Sequence, residues 1–384
     1  MLSQLDKFRS IRKYTEDAFK PLAIEDYVAQ PIEIVSPPKW NLGHTSWFFE
    51  TFILKQFQPG YKPFNDEFGF LFNSYYNNVG DRVIRHKRGD LTRPTVKEVY
   101  LFRKHVDEAM ESFINENKHP EADELIELGL QHEQQHQELF WTDLKYTYSL
   151  NPLYPRYEGK LPFQYTQNQT KSNFLKVDEG VYDVGFAGDS FCFDNELNPH
   201  KVYLHDFEIA SELVTNAEYI EFMEKGGYKD FNCWHDEGWK WVKDHHVSSP
   251  LYWNQIKGIW YNYTLEGFVP VDLSAPVTHV NFYEASAYAA WKGLRLPTEF
   301  EWEVASERFE WGQGWEWTNS AYLPYPGFHK AEGAVGEYNG KFMVNQMVLR
   351  GASVATSPGH SRKTYRNFFH PWESWQFTSI RVAR

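Results

Sequence analysis

Hydrophobic and polar positions along the first 150 residues follow the three-to-four-residue period of amphipathic helices. Prolines, or stretches without this period, separate the periodic segments. Four helices are predicted: one from about Leu2, one after Pro37 and Pro38, one over residues 96–117 and one over residues 121–148. Four helices with inward polar side chains are typical of a four-helix bundle that carries a metal in its core.

The fourth predicted helix carries two histidines on its apolar stripe. His132 and His136 are one helical turn apart, and Leu125, Leu128 and Leu139 continue the same face. A single buried histidine is usually a hydrogen-bonded core residue, whereas two imidazoles at this spacing can converge on one ion. The segment therefore predicts a metal site inside the bundle.

A third histidine lies on the buried stripe of the second predicted helix. Trp40, His44, Trp47, Thr51 and Leu54 recur at steps of four, three, four and three. Three neutral imidazoles suit iron, copper, nickel or zinc, so the ligands alone do not select the metal. They would leave the ion its positive charge and open positions, which favours an anionic ligand such as a thiolate.

The same residues also spell H-E-x-x-H, the signature of zinc proteases, with Glu133 as the general base. The metzincin form needs Gly and His three and six residues after the second histidine, where this chain has Leu139 and Thr142. A metal-dependent hydrolase is therefore the alternative interpretation of this segment.

A basic segment lies between the second and third predicted helices. It includes Arg82 and Arg85 and follows Tyr75 and Tyr76 closely. A solvated loop surface would account for such a cluster, but its closeness in sequence to the metal helix favours capture of a substrate carboxylate. The two tyrosines are either packing groups or donors of a proton or hydrogen atom.

The second half of the chain has a different pattern. Residues 151–176 lack a sustained period and predict a linker between a domain at 1–150 and a domain at 177–384. Short strands, turns and three helices follow, and each helix opens with a capping box. The boxes pair Thr215 with Glu218, Asn281 with Glu284, and Thr298 with Glu301. The chain is thus predicted to be an α+β two-domain protein.

Composition narrows the classes of partner. Aromatic residues make up 18% of the 384 residues, which favours an aromatic-walled core or pocket. A net charge of -13 speaks against nucleic acid or membrane as the main partner. Two cysteines, no apolar run long enough for a span and a charged N-terminal segment predict a cytoplasmic protein. An oligomer is compatible with the aromatic loops, and acidic loops in the second half would permit a structural Ca2+.

Several motifs together resemble known families. LVTNAEYIEFM, PVTHVNFYEASAYAAWKGLRLPTEFEWE, GWEWTNSAY and VLRGAS…IRVAR resemble the formylglycine-generating-enzyme (sulfatase-modifying factor) domain. SPPKWNLGHTSWFFE and QHEQQHQELFWTD resemble a DinB-type bundle. In this order, and over nearly the whole chain, they resemble the ergothioneine-biosynthesis sulfoxide synthases. The resemblance implies a DinB-like four-helix bundle followed by a domain with a C-type-lectin-like fold.

The family resemblance also implies a reaction. Its members hold a non-haem Fe(II) and use O2 to join a thiol sulfur to C2 of the imidazole of hercynine (Nα-trimethylhistidine), forming a sulfoxide. His44, His132 and His136 match the iron ligands. Copper-dependent formylglycine-generating enzymes carry paired cysteines near the C-terminus, but RGASVATSPGHSRKTYR has none. The second domain is therefore expected to wall the pocket over the metal of the bundle.

Individual residues of the first domain match family positions. Arg82 and Arg85 match those that bind the carboxylate of the thiol donor, and Gln135 matches a contact to hercynine. FNSYY resembles the subgroup whose active-site tyrosines lie in the first domain, which makes Tyr75 and Tyr76 the expected catalytic residues. That subgroup favours cysteine as the thiol, with γ-glutamylcysteine as the other candidate.

In the second domain, Asn367, Phe368 and Phe369 fall where some family members have Asn-Trp-Asp around the trimethylammonium group. Aromatic faces hold a quaternary ammonium by cation–π attraction. Tyr325 is the fallback for the catalytic tyrosine.

Four other functions share parts of this pattern. A selenoneine-type enzyme using a seleno-sugar, or a 5-histidylcysteine sulfoxide synthase attacking the other imidazole carbon of histidine, would have most of these motifs. The HExxH hydrolase belongs to a different class, as does a lectin-like binding protein with a degenerate bundle. The intact histidine triplet argues against degeneration.

Overall fold

The chain folds into two units. The computed structural model describes residues 3–76, 79–116, 119–164, 172–330, 336 and 339–384. The first unit covers Met1–Leu161, and the second covers Pro162–Ala331 and Tyr338–Arg384. The division after Leu161 falls inside the segment predicted to be a linker.

The first unit is helical, as predicted. Its helices are α1 (Gln4–Phe19), α2 (Pro38–Phe49), α3 (Phe68–Phe72), α4 (Val96–Glu116) and α5 (Asp123–Ser149). The four long helices are those expected from the periodicity, although Leu2 lies outside the described residues. Ser3 caps α1 by accepting a hydrogen bond from the backbone N–H of Asp6. Pro38 begins α2, where its missing N–H leaves no helical bond unmade.

Helix α2 is enclosed by the rest of the first unit. All of its residues are buried, and it contacts both α4 and α5. A π-helical segment, Glu50–Leu54, and a last turn, Lys55–Phe57, continue it. The sequence predicted one buried stripe on this helix, whereas neighbouring elements cover every face. Polar residues of α2 must therefore find partners inside the protein.

The second unit contains small antiparallel sheets and short helices. Its strands are β1 (Phe174–Val177), β2 (Gly180–Val184), β3 (His200–Leu204), β4 (Phe207–Ala210), β5 (Trp253–Ile256), β6 (Ile259–Thr264), β7 (Gly267–Pro270), β8 (Trp315–Ala321), β9 (Met347–Arg350), β10 (Asn367–Phe369) and β11 (Thr378–Ser379). The largest sheet has the order β10-β9-β8-β11, in which β11 is parallel to β8. The remaining sheets are the pair of β1 with β4, the pair of β2 with β3 and the meander β5-β6-β7.

Four α-helices are described in the second unit, and three of them begin where the capping boxes predicted; the helix that begins at Asp236 was not predicted and has no side-chain cap. The four are α6 (Asn216–Glu224), α7 (Asp236–His245), α8 (Phe282–Trp291) and α9 (Glu299–Ala305). Thr215, Asn281 and Thr298 each accept a hydrogen bond from the backbone of the third residue of the helix that follows. All three predicted boxes are confirmed, because such a box depends only on local chain geometry.

A buried ion pair holds β8 in the second unit. Glu316 and Arg381 are both fully buried, and the guanidinium donates from Nε and Nη2 to the two carboxylate oxygens at 2.6 and 2.9 Å. Trp302 Nε1 donates to the same carboxylate at 2.6 Å. Each ion is thus compensated where water cannot reach it.

Glu284 is a buried carboxyl in the first turn of α8. It accepts hydrogen bonds from Tyr228 Oη at 2.6 Å and from the backbone N–H of Asn281 at 2.9 Å. Burial raises the pKa of Glu284 to about 7, although both hydrogen bonds act to lower it. The pKa in the folded protein therefore exceeds the ordinary value of 4.5.

Glu284→Gln is expected to stabilise the protein increasingly as the pH rises from 4.5 to 7. Below pH 4.5 the carboxyl of Glu284 is protonated in both the folded and the unfolded wild type. Between pH 4.5 and 7 it loses its proton in the unfolded chain but keeps it in the folded protein. Across this range the free energy of unfolding of the wild type should therefore fall by about 3 kcal/mol relative to that of the variant. Urea unfolding of both proteins at a series of pH values measures the difference, with exposed Glu266→Gln as the control. A difference that does not change with pH would contradict the prediction.

Within the part of the chain that the structure describes, no helix has the length and apolar character that a membrane span requires.

Candidate active site

Three histidines of the first unit converge. His44 comes from α2, and His132 and His136 come from successive turns of α5; one ring nitrogen of each lies within 4.8 Å of the other two. The Nε2 atoms of His44 and His132 are 3.1 Å apart. The predicted histidine cluster therefore forms in the folded chain.

Two glycines let the surrounding groups approach the histidines. A Cβ on Gly43 would meet the ring of Phe72 at 2.1 Å, and a Cβ on Gly129 would meet the ring of Phe49 at 2.6 Å. Gly43 precedes His44, and Gly129 lies one turn before His132. A larger residue at either position would push the elements apart.

Hydrogen bonds set the orientation of two of the rings. His44 Nδ1 lies 2.6 Å from the backbone oxygen of Phe72, and His136 Nδ1 lies 3.0 Å from Asn41 Oδ1. Both oxygens can only accept, so each Nδ1 carries the hydrogen and each Nε2 keeps its lone pair. Metal-bound histidines characteristically have such a partner on the second nitrogen. The donor set therefore fits a metal ion.

The three imidazoles are neutral at physiological pH. Burial lowers the pKa of His44 and of His136 well below the ordinary value of 6.5, and the neighbouring histidines lower both further. Burial lowers the pKa of His132 to about 3. Neutral imidazole is the form that binds transition metals, so no proton has to be displaced.

Aromatic rings enclose the His44 side of the cluster. Trp40 stacks on His44 with ring centroids 4.5 Å apart, and Trp47 lies on its other face at 5.4 Å. Phe48 packs 4.8 Å from His132. Such rings restrict the imidazoles to one orientation.

Arg88 extends this stack and was not singled out by the sequence analysis. It lies in a 3-10 turn, Arg85–Asp90, with its guanidinium 3.3 Å from the ring centroid of Trp40. Its Nη1 and Nη2 donate to Ser36 Oγ and Ser74 Oγ, each at 2.8 Å. Burial and the charge of Arg85 lower the pKa of Arg88 well below its ordinary value. The sequence showed the basic cluster but not which member is buried.

Arg82 and Arg85, the predicted carboxylate-binding residues, are both exposed. Arg85 donates from Nη2 to the backbone oxygen of Ile34 at 2.7 Å. Its charge contributes to the lowered pKa of His136, so it lies within electrostatic range of the cluster.

The predicted catalytic tyrosines lie beyond Trp47. Tyr76 is fully buried, with its ring 5.5 Å from that of Trp47 and 5.2 Å from that of Phe52. Tyr75 is half-buried and stacks on Tyr76 at 4.6 Å. The ring of Trp47 therefore contacts both the ring of Tyr76 and the ring of His44.

Gln135 is half-buried on α5, between the two histidines of that helix. Gln137, two residues further on, instead donates to the backbone oxygen of Ile11 at 2.9 Å and ties α5 to α1.

Glu133 is poorly suited to general-base catalysis. Its carboxylate accepts hydrogen bonds from Arg12 Nη1 at 2.7 Å, Arg103 Nη2 at 2.7 Å and Thr15 Oγ1 at 2.6 Å. Burial alone would raise its pKa, but the two arginines and Thr15 together lower the pKa of Glu133 to about 2. This geometry disfavours the HExxH hydrolase, which needs a base able to take up a proton near pH 7.

The second unit carries the predicted hercynine contacts on β10. Phe368 stacks on Tyr322 at 4.1 Å, whereas Phe369 packs against Trp375 at 5.3 Å. Asn367 Oδ1 accepts a hydrogen bond from the backbone N–H of Phe368 at 2.9 Å. Successive strand residues point to opposite faces, so Phe368 and Phe369 do not line one side of β10 together.

Tyr325, the fallback catalytic tyrosine, belongs to a buried ionic network of the second unit. Its hydroxyl donates to Glu299 Oε2 at 3.2 Å and accepts from Arg350 Nη2 at 3.0 Å. The guanidinium of Arg366 lies 3.9 Å from its ring centroid. Burial raises the pKa of Tyr325, so this position disfavours proton transfer from its hydroxyl.

Among the described residues, His44, His132 and His136 form the one cluster of at least three His, Cys, Asp or Glu side chains that converge on a point. Calcium sites also use carbonyl oxygens and water. A structural Ca2+ in the second unit therefore stays a prediction. Cys192 and Cys233 are free thiols.

Known families match the two halves of the chain. The DinB superfamily matches residues 7–140, and the sulfatase-modifying factor enzyme 1-like domain matches residues 160–314. The hercynine oxygenase of Mycolicibacterium smegmatis is 27% identical over 91% of this chain and 91% of its own. Those of Mycolicibacterium thermoresistibile and Mycobacterium tuberculosis are 31% and 30% identical over 53% of this chain, and over 56% and 58% of their own lengths.

The matches confirm the resemblance drawn from the motifs and the two-domain fold class. The helical unit corresponds to the DinB match, and the unit of small sheets corresponds to most of the other. The chain is therefore a homologue of the hercynine oxygenases, with a DinB-superfamily domain followed by a sulfatase-modifying-factor domain.

Proposed function

We propose that this protein is a non-haem iron sulfoxide synthase of ergothioneine biosynthesis. It would use O2 to join the sulfur of a thiol to C2 of the imidazole of hercynine. The observation that carries the proposal is the cluster of three neutral imidazoles with converging ring nitrogens. Similarity to a hercynine oxygenase over 91% of both chains supports the substrate class.

The ligand set suits this chemistry. Three neutral nitrogen ligands leave a divalent ion with its full charge and with open positions for an anionic thiolate and for O2. When bound, Fe(II) would supply O2 activation and lower the pKa of the thiol. The chain itself contributes the orientation of the rings, through Phe72 and Asn41, and the aromatic walls that limit access of water.

Other residues would hold the substrates. Arg82 and Arg85 are exposed cations within the basic loop, which suits capture of the carboxylate of cysteine or γ-glutamylcysteine. Gln135 would contact hercynine from the helix that carries His132 and His136. On β10, Asn367 with Phe368 or Phe369 would receive the trimethylammonium group.

Aerobic incubation of the Fe(II)-loaded protein with hercynine and each thiol tests the proposal. We expect thiol-dependent O2 uptake and a product whose mass corresponds to hercynine plus thiol plus one oxygen atom, with cysteine the better thiol. Absence of coupled product and of thiol-dependent O2 uptake would reject it. Coupling only with a selenium donor, or at the other imidazole carbon of histidine, would assign the chain to one of the two related reactions instead.

Tyr75→Phe and Tyr76→Phe are expected to lower turnover or change the product ratio while iron occupancy stays constant. A phenol can donate a proton, whereas a phenyl ring would keep the packing of residue 76 against Trp47 and the stacking of residue 75 on residue 76. Product ratios by mass spectrometry and iron content by elemental analysis separate the two effects. Wild-type turnover and product ratio in both variants would assign proton donation to another group.

A further inference from the structure

A largely buried ionic cluster joins three helices of the first unit. Arg12 comes from α1, Arg103 and Asp107 from α4, and Glu133 from α5. Arg12 donates from Nη1 to Glu133 at 2.7 Å and from Nε to Asp107 at 2.6 Å. Arg103 donates from Nη2 to the other oxygen of Glu133 at 2.7 Å. Two guanidinium groups thus face these two carboxylates, and Arg103 Nε also donates to the exposed carboxylate of Glu16 at 3.3 Å.

The same arginines reach α2 at the two residues that follow His44. Arg12 Nη2 donates to Ser46 Oγ at 2.9 Å, and Arg103 Nη1 donates to Thr45 Oγ1 at 3.2 Å. On α5, Glu133 directly follows His132. Consecutive helix residues point about 100° apart, so these side chains face the cluster while both histidines face each other. The ionic cluster therefore links α2 to α5 immediately beside the two histidines.

Stability alone is a weak explanation for this arrangement. Burying Arg12, Arg103 and Glu133 requires removing their hydration, and well-packed apolar side chains often stabilise a core equally well. The best-attested role of buried polar groups is to select one register between helices. Here the register concerns the two helices that carry the histidines, whose Nε2 atoms are 3.1 Å apart.

We propose that the Arg12–Glu133–Arg103 cluster is a positioning device for the metal site. It fixes α5 against α2 so that the ring nitrogens of His44 and His132 stand at the separation that one divalent ion requires. Glu133, Arg12 and Arg103 are positioning residues, since they act through the histidines. This inference rests on the proposed function only in that the histidines bind a divalent metal; the thiol and hercynine play no part in it.

Co(II) titration of the metal-free protein tests the proposal, because the visible absorption of bound Co(II) reports both affinity and coordination geometry. Glu133→Gln keeps the size of the side chain and removes its charge. We expect it to weaken Co(II) binding about tenfold or more, as loss of outer-shell partners does, and to change the Co(II) spectrum. The titration is made at a temperature where circular dichroism shows every variant to be folded.

Glu316→Gln is the matched control. Glu316 is equally buried and equally bonded to an arginine, but it lies in the second unit. The Glu316→Gln substitution should lower the melting temperature without changing the affinity for Co(II) or the Co(II) spectrum. Should Glu133→Gln fail to fold, Ser46→Ala removes a single bond of Arg12 and is expected to give a smaller loss of affinity.

The outcomes are distinct. Unchanged Co(II) affinity in a folded Glu133→Gln, or in Ser46→Ala where that variant replaces it, would overturn the positioning role, whatever happens to the melting temperature. Weaker Co(II) binding in a protein that forms no hercynine–thiol product would support it and reject only the proposed reaction. A wild-type protein that binds no Co(II) would overturn both.

Discussion

Replacing His44 with alanine is expected to abolish metal binding and turnover together. His44 supplies the one ring from α2, so without it the two histidines of α5 have no third ligand on the opposite helix. Loss of a direct ligand should weaken metal affinity by more than the 10- to 100-fold typical of outer partners. Elemental analysis after iron loading, together with the O2-uptake assay, measures both quantities in one preparation.

His105→Ala is the control for His44→Ala. His105 lies on α4, and its Nε2 is 3.1 Å from the backbone oxygen of Lys62, away from the cluster. Iron content and turnover should match the wild type. If His44→Ala kept both its iron and its turnover, His44 would be no ligand, and the metal would have to be sought elsewhere.

Arg88→Leu is expected to separate metal binding from turnover. The charge of Arg88 lowers the pKa of His44 and of His136, so its removal leaves the site less positive and metal affinity equal or higher. Turnover should fall about 100-fold, because a displacement of about 1 Å at a catalytic site has that effect. The displacement is expected because Arg88 binds Ser74, the residue before Tyr75, and holds this loop beside Trp40.

Two further variants test this explanation. Arg88→Lys keeps the charge but cannot bridge Ser36 and Ser74 with a planar group, so it should restore little activity. Exposed Lys87→Gln, in the same turn, should behave as the wild type. Loss of iron in Arg88→Leu, or full turnover in Arg88→Lys, would show that the bridging hydrogen bonds are not what the site requires.

Local features of the fold were predictable because short-range interactions decide them. Thr215, Asn281 and Thr298 open helices through bonds to residues three positions away, and no distant segment has to be known. The long helices of the first unit follow from apolar periodicity in the same way. The family could also be identified, since its motifs are continuous stretches of sequence.

In the basic loop, local sequence patterns do not predict which arginine is buried. Arg82, Arg85 and Arg88 are the same type of residue within seven positions, and sequence spacing ranks none of them. The 3-10 turn places Arg88 over Trp40 and leaves the other two exposed. Burial of one guanidinium depends on partners 14 and 52 residues away, Ser74 and Ser36.

The surroundings of Glu133 and of the phenylalanines of β10 could likewise not be predicted from local sequence. The motif HEQQH is compatible with a general base at Glu133, and only the approach of Arg12 and Arg103 from two other helices disfavours that role. Phe368 and Phe369 are adjacent in sequence, and a strand turns them to opposite faces.

By itself the sequence determined the four long helices of the first unit, the capping boxes of the second, the family and the identity of the three histidines, because periodicity and contiguous motifs carry this information. The convergence of His44 with His132 and His136, the tautomers set by Phe72 and Asn41, and the ionic cluster behind them were decided only by the tertiary structure. These features depend on contacts between residues that are 28 to 121 positions apart in the chain. Local sequence patterns do not determine which of these distant residues come into contact.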